Sequence, residues 1–268
     1  MRLLVNEQFD QLAALVVVKR ITEHQKNSPE KPFVLALPTG ATPSGMYRHL
    51  IRLHQAGQVS FKNVVTFNID EYVGLDKNHP QSLWQYMLEN FFRHVDLDLA
   101  NAHIMNGVAS DLAAECADYE AKITAYGGID LLIGGVGING HVAFNEPYAS
   151  PTSPTRVETL QYSTFVAHKH SFGNEINNIP RQGLTLGMKT ILAAREIMIL
   201  ANGIAKAPQV AQAVDGAIMN SCPLSLLQLH HKTLLLCDDL ATYELKVKTI
   251  RYFASVIDEY QELLPLVL

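Results

Sequence analysis

Short apolar runs, separated by longer amphipathic stretches, constrain the fold more than any other feature of this sequence. The runs read FVLALP (33–38), VVTFNID (64–70), IDLLIGGVG (129–137), EIMILANG (196–203) and TLLLCDD (233–239). They are rich in β-branched residues or leucine and lack polar alternation, which is typical of strands buried on both faces. The stretches between them have the spacing of amphipathic helices, at 9–25, 82–95, 111–127 and 241–260. This alternation predicts an α/β fold, a single-domain Rossmann-like, mostly parallel sheet with helices on both faces.

Length and composition indicate one continuous domain. The chain has 268 residues, 48% of them hydrophobic, and it contains no internal repeat or low-complexity linker. This length suits one large α/β domain, so we treat residues 1–268 as a single unit. The least regular part, roughly 145–182, is rich in Pro, Ser, Thr and Asn, a composition that suits a lid or a small excursion over the site.

Charge and cysteine usage narrow the class of protein. The net charge of −5 argues against nucleic-acid binding, although an anionic small molecule needs only local donors. The three cysteines lack CxxC spacing, which favours free thiols in a reducing cytosol over a metal site. The N-terminus does not read as a signal peptide, and no apolar run approaches the roughly 20 residues of a membrane span. We expect a cytoplasmic protein with no nucleic-acid or membrane partner.

Ligands of parallel sheets bind beyond the C-terminal ends of the strands, and the first such end reads PTGATPSG. Thr42 occupies the expected N-cap position of a helix, and Pro43 the first helical position. Backbone N–H groups and hydroxyls of Thr39, Gly40, Ala41 and Thr42 would then face a helix N-terminus, which is a ready anion site. The alternative is an ordinary capped helix after a strand.

The second strand end carries two adjacent carboxylates, Asp70 and Glu71. One of them can face a cleft while the other turns away. A carboxylate at a partly desolvated strand end has a raised pKa and can act as a base. The alternative is an Asp that forms a turn or caps a helix.

The third strand end, GGVGINGHVAFNEP, has the GxGxxG spacing of a dinucleotide site at Gly135, Gly137 and Gly140. A dinucleotide site also needs a helix directly after the glycines, and HVAFNEPYASP contains no credible helix. We therefore reject that interpretation. His141 and Glu146 instead suit proton transfer, because His titrates near neutrality and a carboxylate can orient it. A lone structural His is the alternative.

These segments resemble the glucosamine-6-phosphate deaminases, the glucosamine/galactosamine-6-phosphate isomerase family, which shares its fold with 6-phosphogluconolactonases. The resemblance runs nearly end to end, and DEYVGL and GHVAFNEP are its most specific motifs. It implies that D-glucosamine 6-phosphate and water become D-fructose 6-phosphate and ammonia in amino-sugar catabolism, without a metal or organic cofactor. The implied partner is a small-molecule sugar phosphate, and the family allows a homo-oligomer.

The resemblance also implies roles for individual residues. Asp70 aligns with the base that moves a proton from C2 to C1 of the open-chain sugar. His141 aligns with the catalyst of ring opening, and Glu146 with its partner. The loop Thr39–Thr42 aligns with the phosphate-binding loop, and Lys206 with a phosphate-binding lysine.

Three positions depart from the family pattern within the site. Asn139 stands where enteric members have an Asp that fixes the ring-opening His, which predicts retained activity with a shifted pH profile. Ala41 replaces a glycine near the phosphate, which is tolerable at negative φ. His170 stands where an arginine grips the phosphate, and a His is a weaker, pH-dependent ligand. Either the neighbouring Lys169 substitutes, or phosphate affinity is lower, or the sugar differs, or the loop is realigned by one residue.

The enteric members bind N-acetylglucosamine 6-phosphate at an allosteric site. Arg156, Thr159 and Tyr252 match positions of that site, whereas Glu158 replaces a phosphate-binding lysine and Ala149 a serine. A carboxylate that faces a phosphate lowers affinity. The sequence therefore predicts no activation by this effector.

Other functions stay open at this point. A deaminase for galactosamine 6-phosphate would share the catalytic core and differ only in the pocket. A non-catalytic sugar-phosphate sensor would be expected to lose Asp70, His141 and Glu146, and a lactonase to lack the FNEP continuation.

Overall fold

The computed structural model describes residues 1–256 and 260–267, and the side chains of residues 170 and 171 lie outside this description. The strands are β1 (Arg2–Val5), β2 (Phe33–Leu37), β3 (Val64–Asn68), β4 (Asp70–Tyr72), β5 (Ala102–His103), β6 (Leu131–Gly135), β7 (Arg156–Thr159), β8 (Gln182–Thr185), β9 (Glu196–Ala201) and β10 (Thr233–Cys237). The α-helices are α1 (Phe9–Asn27), α2 (Ala41–Gln55), α3 (Leu83–Asn90), α4 (Leu112–Ala125), α5 (Tyr162–Ala167), α6 (Met188–Leu192), α7 (Ala207–Asp215) and α8 (Val247–Ala254).

A parallel sheet of seven strands, in the order β1-β10-β9-β6-β2-β3-β5, forms the centre of the molecule. Its strands bury both faces because alternate side chains enter two different cores. In β2, Val34 and Ala36 pack with α4, α6 and α7, whereas Leu35 and Leu37 pack with α1, α2 and α3. The predicted fold class, a mostly parallel sheet with helices on both faces, is confirmed.

A second sheet of three antiparallel strands, β4-β8-β7, lies beyond the end of β3. The run 64–70, predicted as one strand, is therefore two. The chain leaves the parallel sheet at Ile69, whose backbone bonds to Leu37 on one side and Leu186 on the other. Asp70 begins the second sheet opposite Thr185.

Two further predictions from sequence need correction in detail. The predicted helix at 82–95 is α3 followed by a 3-10 turn at Phe92–His94. The predicted helix at 241–260 begins only at Val247, after a 3-10 turn at Leu240–Thr242, and residues 257–259 lie outside the described part. β1 is a strand that the periodicity analysis missed, because its short apolar run gives little signal.

Within the described ranges, no helix combines the length and apolar character needed to cross a membrane. Cys116, Cys222 and Cys237 are all buried free thiols.

Candidate active site

Four neighbouring strands of the parallel sheet, in the order β9-β6-β2-β3, end at the same edge. The loop after β9 carries Lys206, and the loop after β6 carries His141. The loop after β2 carries Thr39–Thr42, and Asp70 follows β3 directly. The fold therefore gathers at one edge the residues that sequence motifs predicted separately.

Asp70 is a buried carboxylate, only 8% exposed. Its Oδ1 atom has no hydrogen-bond partner among the described residues. Burial, with a smaller contribution from the neighbouring charge of Glu71, raises the pKa of Asp70 to about 8. A buried carboxylate with a free oxygen and high basicity has the properties of a general base.

Glu71 turns away from Asp70 and caps a helix. Its carboxylate accepts hydrogen bonds from the backbone N–H of Tyr72 at 2.7 Å, Leu83 at 3.0 Å and Trp84 at 3.2 Å. Leu83 and Trp84 open α3, whose N-cap is Ser82. Burial raises the pKa of Glu71 to about 7 although these bonds partly offset it. The prediction that one carboxylate faces the cleft and the other turns away agrees with this geometry.

His141 is held through one ring nitrogen. Its Nδ1 lies 2.8 Å from Asn139 Oδ1 and 3.3 Å from Thr164 Oγ1. Because the amide oxygen can only accept, Nδ1 carries the proton and Nε2 is left with its lone pair. Burial, followed by the charges of His168 and Lys206, lowers the pKa of His141 to about 3, so the ring is neutral. A neutral imidazole with a free Nε2 can take a proton from a bound hydroxyl.

Glu146 acts on His141 through Asn139. The Glu146 carboxylate is 3.7 Å from the ring Nδ1, beyond hydrogen-bond range, but it accepts from Asn139 Nδ2 at 2.7 Å and from the backbone N–H of Gln161 at 3.1 Å. This bond fixes the amide so that its oxygen faces the imidazole. The expectation that Glu146 orients His141 stays a prediction, and in this geometry Glu146 would act through Asn139.

The glycines of the opening motif serve the histidine rather than a nucleotide. A Cβ atom on Gly137 would lie 2.1 Å from Cε1 of the His141 ring, so only glycine leaves room for the imidazole. Gly140 has φ of +83°, which favours glycine on conformational grounds. No helix follows these glycines, as the sequence predicted.

The loop after β2 differs from the predicted cap. α2 begins at Ala41, two residues earlier than expected, and Gly40, with φ of +106°, takes the N-cap position instead of Thr42. Thr42 is thus inside the helix, and its hydroxyl donates to Asn202 Oδ1 at 2.6 Å. Ala41 is helical and has no positive φ, so its methyl group is tolerated. The N-terminus of α2 still points its free N–H groups toward the site edge.

Lys206 lies in a 3-10 turn, Ile204–Lys206, close to Asn202. Among the described residues its ammonium has no ionic partner, and burial lowers its pKa. Its charge contributes, after burial, to the lowered pKa of both His141 and His168. His170 has its backbone in the turn Lys169–Phe172, but its side chain lies outside the described part, so its predicted contact stays a prediction.

Two polar residues at the site were missed by the sequence analysis. The Tyr72 hydroxyl lies 2.7 Å from Nδ1 of His168. Tyr72 is two residues after Asp70, and this closeness in sequence to the predicted base was a signal that could have identified it. His168 had no comparable signal, because it is one of several basic residues in the irregular segment AHKH.

The family described as glucosamine-6-phosphate isomerases/6-phosphogluconolactonase matches residues 6–236. The chain belongs to this family. Two relatives named glucosamine-6-phosphate deaminase are each 51% identical to it: one from Bacteroides fragilis over 259 residues, covering 96% of both chains, and one from Yersinia pseudotuberculosis over 244 residues, covering 91% of both.

Solved structures support the same family. A structure described as a monomeric glucosamine-6-phosphate deaminase matches with a TM-score of 0.86 and 38% identity, over 91% of this chain and 100% of that one. A 6-phosphogluconolactonase from Trypanosoma brucei matches with a TM-score of 0.70 over 91% and 98% of the two chains. At 17% identity, this second match shows the shared fold alone.

Proposed function

We propose that this protein is an enzyme that converts D-glucosamine 6-phosphate and water into D-fructose 6-phosphate and ammonia. One observation carries the proposal: Asp70, buried and strongly basic with a free oxygen, lies at the same sheet edge as the oriented, neutral His141. An aldose–ketose conversion needs two such groups, one for each proton transfer. The relatives at 51% identity carry the name of this activity.

The first proton transfer opens the sugar ring. His141 Nε2 takes the proton of the C1 hydroxyl and returns a proton to the ring oxygen, so that the C1 aldehyde forms. Asn139 holds Nδ1, and Glu146 holds Asn139. The imidazole therefore keeps one tautomer and one orientation during the exchange.

The second proton transfer moves the double bond. Asp70 takes the proton from C2, the C1 aldehyde oxygen takes a proton from the C2 ammonium, and the neutral C1–C2 enolamine forms. The same carboxyl group delivers a proton to C1, which leaves an iminium group at C2. Water adds to C2 and ammonia departs, giving the ketone. An ammonium on C2 of the arriving substrate favours the ionised form of Asp70, which offsets its raised pKa.

The phosphate would bind at the corner between two loops. Thr39, Gly40, Ala41 and Thr42 offer backbone donors at the N-terminus of α2, Thr39 adds a hydroxyl, and Lys206 offers an ammonium that has no ion pair among the described residues. The hydrogen bond from the Thr42 hydroxyl to Asn202 joins the start of α2 to the loop after β9. This arrangement supports a phosphate site between α2 and the loop after β9.

We also propose that N-acetylglucosamine 6-phosphate does not activate the enzyme. Glu158 forms an ion pair with Arg156, whose guanidinium also donates to Asn145 Oδ1 at 2.9 Å. The Arg156 charge is thus already neutralised by this chain. Substrate saturation measured with and without the effector should superimpose, and a large fall in the half-saturating substrate concentration would refute this part.

The decisive experiment is the coupled detection of D-fructose 6-phosphate and ammonia from D-glucosamine 6-phosphate. A parallel assay with D-galactosamine 6-phosphate tests the second candidate function, a deaminase for that epimer. The observation that favours it is His170, which stands where the family has a phosphate-binding arginine. We expect higher kcat/KM with the glucosamine epimer. Higher kcat/KM with the galactosamine epimer would reverse the assignment, and no ammonia from either would favour a sensor.

The organisation of the chain is part of the proposal. We infer one domain over 1–268, in which the segment around 145–182 forms a lid. That segment contains β7 and α5, and it joins the core through β8 and β4. Buried free thiols support a reducing, cytoplasmic location.

A further inference from the structure

The segment around 145–182 contacts the strand of Asp70 through one small apolar cluster. Phe165 and Phe172 of the segment pack with Tyr72, which shares β4 with Asp70, and with Phe144, which follows His141 in the same loop. The Tyr72 ring lies 5.5 Å from Phe144 and 5.5 Å from Phe172, centroid to centroid. This cluster brings the end of α5 close to the elements that carry Asp70 and His141.

His168 follows α5 directly and is half-buried beside this cluster. Its ring lies 6.1 Å from Tyr72 and 6.2 Å from Phe144. Its Nδ1 and the Tyr72 hydroxyl are 2.7 Å apart. It is thus positioned by two aromatic contacts and one hydrogen bond, which is more order than a loop histidine usually has.

The protonation state of this pair follows from its surroundings. Burial and the charges of Asp70 and Glu71 raise the pKa of Tyr72, so its phenol keeps the proton and donates it. Burial and the charge of Lys206 lower the pKa of His168, so its ring is neutral. Nδ1 therefore accepts from Tyr72, and Nε2 carries the remaining proton.

That Nε2–H has no partner among the described residues, and neither has the ammonium of Lys206. His168 lies one helical turn after Thr164, whose hydroxyl is 3.3 Å from Nδ1 of His141, and Lys206 lies in the loop after β9 at the same sheet edge. Two unsatisfied donors at one cleft, one of them cationic, can form a site for an anion. No carboxylate forms a salt bridge with Lys206 within the described part of the chain.

We propose that His168 binds the phosphate of the substrate, donating its Nε2–H beside Lys206, and that Tyr72 is the positioning residue that fixes the orientation of His168. This inference rests on the proposed function for the identity of the substrate. It assigns to His168 the contact that the sequence had left between His170 and Lys169. It also couples phosphate binding to the strand that holds the base, because Tyr72 and Asp70 share β4.

The test compares His168→Phe, Tyr72→Phe, His170→Ala and the control Tyr162→Phe. Phenylalanine keeps the aromatic packing of His168 and removes its nitrogens. Tyr162 lies in the same segment as His168, and Tyr162→Phe removes the same hydroxyl group as Tyr72→Phe. Its side chain is 69% exposed, and its hydroxyl has no hydrogen-bond partner among the described residues. Thermal unfolding checks that each variant folds.

Three quantities are measured: KM and kcat for D-glucosamine 6-phosphate, and the dissociation constant (Kd) of inorganic phosphate by titration calorimetry. For His168→Phe we expect KM and the phosphate Kd to rise at least about 10-fold, with kcat within about threefold of wild type. Tyr72→Phe should raise both by about 2- to 5-fold, and it should add nothing in the His168→Phe background. Tyr162→Phe should change neither.

An unchanged phosphate Kd in His168→Phe would overturn the proposal, as would a fall in kcat with KM and Kd unaltered. A rise in phosphate Kd for His170→Ala but not for His168→Phe would transfer the role to His170. The calorimetric measurement requires no turnover, so a failure of the proposed reaction would show as absent ammonia release with phosphate binding still sensitive to His168.

Discussion

Asp70 and His141 lie at the same sheet edge and are both buried, but the hydrogen bonding of their side chains differs. His141 is held at Nδ1 by Asn139, and Asn139 by Glu146, so its orientation is fixed by a chain of hydrogen bonds. Asp70 has an oxygen with no partner among the described residues. One group is restrained in direction, and the other is left with high basicity.

The difference matches the two proton transfers assigned to these residues. Ring opening exchanges a proton between two oxygen atoms, where the geometry of the imidazole decides the rate. Abstraction from carbon needs a stronger base, and a carboxylate without donors around it is stronger than a solvated one. A buried carboxylate without partners reduces stability, so the fold gives up some stability at Asp70 in favour of its chemistry.

The largest expected effect is the loss of activity on Asp70→Asn. The amide keeps the shape of the side chain and removes the base, so ammonia release should fall at least about 10³-fold. The measurement is kcat under saturating substrate, with phosphate binding as the control for an intact site. Activity within tenfold of wild type would show that another group moves the proton.

The next largest effect should come from Gly137→Ala, which acts on the other half of the comparison. The added methyl group would lie 2.1 Å from the His141 ring, so the ring must move. A displacement of this size should lower kcat about 10²-fold. The control is Gly135→Ala, where a Cβ meets nothing within 4 Å and kcat should stay close to wild type. Equal losses in both variants would mean that the orientation of His141 is not the critical quantity.

A third prediction contrasts the neighbouring carboxylates by their effect on stability. Because the pKa of Asp70 is raised in the folded state, its ionisation disfavours folding increasingly as pH rises from about 4 to about 8. Asp70→Asn should therefore raise the free energy of unfolding at pH 8 by on the order of 2 kcal/mol, and the gain should vanish near pH 4. Urea unfolding at both pH values gives the measurement.

The same change at the adjacent position should have a smaller effect. The pKa of Glu71 is raised only to about 7, because backbone N–H groups of Leu83, Tyr72 and Trp84 donate to its carboxylate and partly offset its burial. Glu71→Gln removes the buried charge but turns an amide NH₂ toward these donors, so the free energy of unfolding at pH 8 should change less than in Asp70→Asn. A gain as large as that of Asp70→Asn would contradict this distinction between the two carboxylates.

The smallest effect is expected for Asn139→Asp. A carboxylate beside Nδ1 stabilises the protonated imidazole and raises the pKa of His141, so the acidic limb of the pH–rate profile should move to higher pH, with a few-fold change in rate. The new Asp lacks the donor that Asn139 gives to Glu146, so Asn139→Asp with Glu146→Gln should recover that bond. An unchanged pH profile in Asn139→Asp would contradict the prediction.

The fold was predictable from local patterns, whereas parts of the site were not. The buried runs at 33–38 and 196–203 form β2 and β9. A short apolar run without polar alternation, bounded by turn residues, is typical of a buried strand, so these two could be predicted locally. The division of 64–70 at Ile69 was not predictable, since the apolar run continues across two sheets. The change of direction depends on β8, which is more than 100 residues away.

The same distinction holds at the level of single side chains. Asp70 and His141 could be predicted from residue type and from position after a strand, and Lys206 only from the family resemblance. The bridge from Glu146 to His141 through Asn139 could not, because it depends on the rotation of one amide. His168 needed the fold itself, since the contact with Tyr72 spans 96 positions of sequence.

The pairing of β1 with β10 has a consequence for how the chain is made. Residues 2–5 complete one edge of the parallel sheet only by bonding to residues 233–237. During synthesis, β1 therefore cannot pair until residues 233–237 have been made, and one edge of β9 also stays unpaired until then. β1 thus lacks its partner for most of synthesis, and β9 lacks one only late, between the emergence of β9 and of β10, so β10 is the strand that covers both edges and protects them from aggregation.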